Sequence, residues 1–140
     1  MKKILMGIIF STSSIMSIYA QKSINVPASV KSAFSQKYAD ATNVTWEKEK
    51  GNYEANWGGK SGEDNSAMFT PTGKFVEIVN AIAITDLPSS VAPYVKSHFH
   101  GAKIKEAGKV TDSNGKQTYE AEIKGMDLIF DLNGKYLGKD

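Results

Sequence analysis

The sequence predicts an α+β fold: two tandem units, each a helix followed by four short strands, forming one antiparallel sheet with both helices on one face. Three observations predict it. The phrase "VPASVKSAFSQKYADATNV" at residues 26–44 returns in altered form as "LPSSVAPYVKSHFHGAKI" at 87–104. Inside each phrase, apolar residues recur every fourth position, the spacing of one helix face. After each phrase come short segments of period two, separated by turn residues.

The elements follow in order. Residues 1–20, "MKKILMGIIFSTSSIMSIYA", have a positive start at Lys2 and Lys3, an interrupted apolar stretch and a small residue at the end. This is the pattern of a secretory signal peptide, with cleavage expected between Ala20 and Gln21. The run is too broken for a membrane span of about twenty continuous apolar residues, so no stable membrane anchor is expected after cleavage. The remaining chain, 21–140, is read as a single domain of two repeats, about 24–80 and 85–138.

The first helix is expected from Pro27, with Val30, Phe34 and Tyr38 on its buried face; the second from Pro88, with Val91, Val95 and Phe99. Proline suits a first helical turn, where no N–H partner is lost. Pro93, one turn in, is expected to delay or distort the second helix start, and Gly101 to stop it. In the strands, "NYEANW" (52–57) puts Tyr53, Ala55 and Trp57 on one face, and "TYEAEI" (118–123) does the same with Tyr119, Ala121 and Ile123. "AMFTPTGKF" and "LIFDLNGKY" are matching hairpins, and Asn133-Gly134 is a strong two-residue turn signal. Turns this short require antiparallel neighbours. One unit alone has a thin core, so two are expected side by side.

Charge and composition exclude several functions. Without Lys2 and Lys3 the formal charge falls from +2 to zero, which leaves no electrostatic case for nucleic acid or anionic lipid. The chain has no Cys, so disulfides, thiolate metal sites and a Cys nucleophile are excluded.

The Val/Leu-Pro helix starts, the Ala before the first strand, Val44-x-Trp46, the Tyr-Glu-Ala strands and the aromatic-x-x-x-Gly-Lys hairpins resemble the PepSY-like family of β-lactamase-inhibitor-like proteins. The resemblance spans about residues 24–138 and implies an exported bacterial protein, periplasmic or secreted, with helices on an antiparallel sheet. The family carries no motif of catalytic residues.

Candidate chemistry is sparse. His98 and His100 stand two apart on an expected helix, where side chains diverge, so no metal is assigned to them. "DLNGK" (131–135) lacks the remaining ligands of a calcium loop and reads as a hairpin. "GGKS" (58–61) has Glu54 where a phosphate loop needs its first Gly, and it lies between strands. "NVT" (43–45) fits a glycosylation sequon, which means little in a bacterial chain. Glu54 and Glu120 could be combined into a carboxylate pair, but a solvent-face residue stated once per repeat explains them more simply. No metal and no cofactor is expected, and no enzymatic activity.

The expected function is an exported non-enzymatic binding module that holds a protein or peptide on the open face of the sheet, inhibition of a secreted enzyme being one form of this. The alternative is a structural or accessory subunit of a cell-envelope assembly. Expected contacts are Trp46, Glu47, Glu54 and Asn56, bordered by Lys60 and Asp64 of the "GGKSGEDN" loop that lengthens the first unit. Glu54 and Asn56 are expected to face water, so that charge there leaves the fold intact.

Overall fold

The computed structural model describes residues 23–140; the expected leader and its junction at Ala20 and Gln21 lie outside them. Helix α1 (Ala28–Lys37) precedes β1 (Thr45–Glu49), β2 (Asn52–Trp57), β3 (Asn65–Phe69) and β4 (Phe75–Ile82). A short 3₁₀ turn then leads to α2 (Val91–His98), β5 (Glu106–Asp112), β6 (Gln117–Ile123), β7 (Met126–Phe130) and β8 (Tyr136–Lys139). The strands form one eight-stranded sheet in sequence order. Every neighbouring pair is antiparallel, including the central β4–β5 pair that joins the two halves.

Each helix covers its own half. Val30 and Phe34 pack with Tyr53, Ala55, Ala67 and Phe69, while Val91 and Val95 pack with Ala121, Ile123, Leu128 and Phe130. Ile78 joins the first cluster and Ile82 the second. They lie four apart on β4, so they point to the same side, and both helices sit on one face of the sheet.

The two helix starts differ as Pro93 requires. α1 begins directly after Pro27, whereas α2 begins three residues after Pro88, leaving Pro93 at the third helical position. Its missing N–H there is one that a helix leaves unpaired in any case. Phe99 and Gly101 end α2, Gly101 at φ +70 with its N–H on the Lys96 carbonyl. His98 stacks on Tyr94 at 4.0 Å, and His100 lies beyond the helix. In the β7–β8 turn Asp131 accepts the N–H groups of Asn133 and Lys135, each at 2.9 Å, which makes "DLNGK" a self-capped hairpin.

Each helix start rests on a hairpin glycine. Gly73 (φ +87) lies under Ser29, and Gly134 (φ +83) under Pro88 and Ser90. A Cβ at Gly134 would stand 2.8 Å from the Pro88 Cβ. Gly134→Ala should therefore combine the left-handed backbone cost with overpacking, about 3 kcal/mol in a urea melt. Gly115→Ala, at φ +79 with open space around it, should cost only about 1–2 kcal/mol. Equal losses at the two positions would show that the helix–hairpin contact is slack.

Candidate functional site: an acidic cleft on the open sheet face

Strand alternation sends one set of residues under the helices and the other to the opposite face. In β2 Tyr53 and Ala55 are buried under α1, which turns Glu54 and Asn56 away. In β6 Ala121 and Ile123 are buried under α2, which turns Glu120 and Glu122 away. Glu47 and Glu49 alternate with Trp46 and Lys48, Glu77 precedes Ile78, Glu106 precedes Ala107, and Asp127 precedes Leu128. The sheet curls toward this face until Lys50, in the β1–β2 turn, bonds the carboxylate of Asp140 after β8. The result is a cleft of about 360 Å³.

All eight glutamates of the chain line that cleft, with Asp127 and Asp140; among the described residues that line it, the one cation is Lys50. A chain with no net charge after its expected leader is thus strongly polarised. The cross-strand register sharpens this. Glu47 stands directly opposite Glu54, Glu106 opposite Glu122, and Glu122 opposite Asp127. Like charges directly opposed across a sheet are destabilising, so folding alone does not account for them.

The crowding shows in the acidities. Burial, reinforced by the carboxylates of Asp127, Glu77, Glu54 and Glu49, pushes the Glu120 carboxyl up to about 8. Burial, then the neighbouring Glu49 and Glu47, pushes Glu54 up to about 7, against the opposing pull of the Ser66 hydroxyl. Glu77 and Asp127 are raised as well, again chiefly by burial. Room for Glu120 comes from Gly108 beside it on β5, where a Cβ would stand 2.8 Å from the Glu120 carboxyl oxygen. Among the described residues no three His, Cys, Asp or Glu side chains are grouped to hold a metal ion. The acids are spread along the floor instead. Beyond Glu120, Val110, Ile129 and Leu137 continue the floor as an apolar stretch, Leu137 being half exposed.

Of the residues expected from sequence, Glu47, Glu54 and Asn56 line the cleft. Trp46 does not. It pairs with the fully buried Ala55 and packs edge-on against Phe34 at 5.2 Å, on the helix side of the sheet. Ala107 of β5, which pairs with the buried Ala121, lies on that same helix side. Lys60 and Asp64 are exposed in the β2–β3 loop and are not among the lining residues; Glu63 of that loop is. Asn56 is not water-facing: it is 6% exposed and accepts a hydrogen bond from the Ser66 hydroxyl. Glu54 is only half exposed, so charge substitution at this pair would disturb the fold. Sequence reasoning missed Glu49, Glu63, Glu77, Glu106, Glu122, Asp127 and Asp140, and read Glu120 as a plain solvent-face residue. The available signal was parity, since most of these acids alternate with buried apolar residues.

Several solved structures share this architecture. A protein from Bacteroides eggerthii DSM 20697, described as "putative periplasmic", matches at 18% identity with a TM-score of 0.66, covering 84% of this chain and 89% of its own. A DUF2874 family protein from Bacteroides ovatus ATCC 8483 matches at 17% and 0.64, covering 84% and 88%. A BLIP-like protein from Bacteroides fragilis NCTC 9343 matches at 17% and 0.60, covering 84% and 86%. At these identities the likeness concerns the fold. No curated protein matches the chain. Among the described residues no helix is long and apolar enough to cross a membrane. The family model described as "Putative beta-lactamase-inhibitor-like, PepSY-like" matches residues 19–60 and 60–137, nearly the whole chain. The chain belongs to that PepSY-like family.

Proposed function

We propose that this chain is an exported, non-enzymatic binding module whose curled sheet face holds a cationic segment of a partner protein. The two helix-plus-four-strand halves are two copies of one unit, fused into the single domain 21–140, and the working location is the periplasm or the exterior. The observation that carries the reading is the convergence of all eight glutamates on one cleft where, among the described residues that line it, the one cation is the already paired Lys50. Charges of one sign on a concave wall focus the field and attract an opposite charge. Their spread along the floor favours an extended ligand over a single ion, and the apolar stretch at Val110, Ile129 and Leu137 suits aliphatic side chains next to the cations. The mechanism is complementarity: lysine or arginine groups relieve repulsion that the free protein carries across its strands.

The test uses fluorescein-labelled decalysine, read by anisotropy at 50 mM salt, with decaglutamate as control. Glu47 and Glu106 are exposed, so Glu47→Lys/Glu106→Lys should shift stability by only about 0.5 kcal/mol per site. Wild type should bind decalysine, the variant at least tenfold more weakly, and salt should weaken wild-type binding by screening. Absence of decalysine binding, or equal capture of decaglutamate, would sink the reading.

A further inference from the structure

We infer that the cleft takes up its cationic partner only by releasing protons shared among its central carboxyl groups, so that capture and release follow ambient pH. This rests on the cationic-segment reading above. The geometry is that of too many acids in one enclosed space. Glu54 on β2 faces Glu47 and Glu49 of β1, the Ser66 hydroxyl and Met68 of β3, and, past Met68, Glu77 of β4. Glu120 on β6 faces Gly108 of β5, with Glu106 two residues away on that strand, and Ile129 of β7 beside Asp127. Asp140 and Lys139 stand at the β8 rim. Lys50 is bonded to Asp140. Neither helix reaches this side of the sheet. Among the described residues, the cations lining this face are Lys50, already bonded to Asp140, and Lys139 at the β8 rim, and the charged groups that act most on the two central carboxyls are other carboxylates.

Like charges that close cannot all ionise, and burial favours the neutral form. The raised pKa values of Glu54 and Glu120 agree with the packing. A docked ammonium reverses the balance, because an opposite charge within a few ångströms favours the carboxylate. Each docking event then moves a proton from a carboxyl oxygen to buffer. By linkage, affinity must rise with pH over the range in which the free cleft holds those protons.

Decalysine again serves as probe, by calorimetry between pH 6 and pH 8.5. Ordinary carboxylates are already ionised at pH 6, and lysine stays charged to about pH 10, so a plain acidic surface would bind almost evenly across the range. The expected result is at least tenfold tighter binding at pH 8.5 than at pH 6. The apparent enthalpy at pH 7.5 should also change with the buffer's ionisation enthalpy, in the sense of proton release. Glu54→Gln/Glu120→Gln should flatten the pH profile. Binding that is tight but flat, with no buffer dependence, would overturn the switch and leave the cationic reading standing. Absence of decalysine binding at every pH would overturn both. A ¹³C titration of the free protein gives a ligand-independent check: side-chain carboxyls of Glu54 and Glu120 titrating in the usual range near 4.3 would overturn the switch alone.

Discussion

Phe34→Ala should cost about 3–5 kcal/mol, the range for truncating a buried aromatic ring. Phe34 is 6% exposed and sits at the centre of an aromatic cluster. Its ring lies 5.2 Å from Trp46, 5.1 Å from Trp57, 6.2 Å from Phe69 and 5.5 Å from Tyr38. The first three are edge-on arrangements, which add attraction beyond area burial. Removing the ring leaves a cavity whose walls are rigid indoles and phenyls on three strands, with little ability to collapse. Total stability for a domain of this size is about 5–15 kcal/mol, so the variant should be marginal at best. A urea melt, followed by tryptophan fluorescence because Trp46 and Trp57 both touch the deleted ring, measures the loss. Val95→Ala, on α2, should cost less, since fewer atoms are removed from its buried site. A loss below about half a kcal/mol for Phe34→Ala, the range of exposed sites, would mean that α1 does not seat on the sheet as described.

That helix face was legible in the sequence because it is a local property: Val30 and Phe34 are four apart, and no distant residue decides which way they point. Strand parity was legible for the same reason, and it correctly turned Glu54 and Glu47 away from the helices. Trp46 shows where local reading stops. In "NVTWEKE" the alternation is weak, and whether Trp46 faced the helices depended on its partner across the strand, Ala55, which only register supplies. The acidic cleft was illegible for a related reason. Glu77, Glu106, Glu120 and Asp127 are scattered over fifty residues, and each alone reads as a polar residue on a solvent face. Their meeting follows from the β4–β5 pairing that makes the sheet continuous and from the curl that closes Lys50 onto Asp140. Neither leaves a mark on any single strand. Asn56 was misread because strand alternation assigns a residue to a face but not to a depth on it; at the floor of the curled sheet Asn56 is buried against Ser66.

Glu120→Gln should make the protein more stable at alkaline pH and leave it almost unchanged in acid. The sign follows from linkage. The folded-state carboxyl titrates at about 8, against an ordinary value of 4.5, so between those values the native state holds a proton that the unfolded chain has lost. Stability must then fall as pH rises through that window. The penalty is absent below about pH 4.5 and complete above about pH 8. At 1.36 kcal/mol per pKa unit the ceiling is about 5 kcal/mol, and screening at the open side of the cleft brings the expected effect to on the order of 3 kcal/mol. Glutamine keeps the shape over Gly108 without the charge. At pH 9 the variant should therefore melt on the order of 10 °C above wild type, by the usual conversion for a domain of this size. At pH 4.5 the two curves should coincide within about half a kcal/mol. Parallel pH profiles for wild type and Glu120→Gln would mean that Glu120 ionises as an ordinary surface acid. The floor of the cleft would then be far wetter than its packing against Gly108 implies.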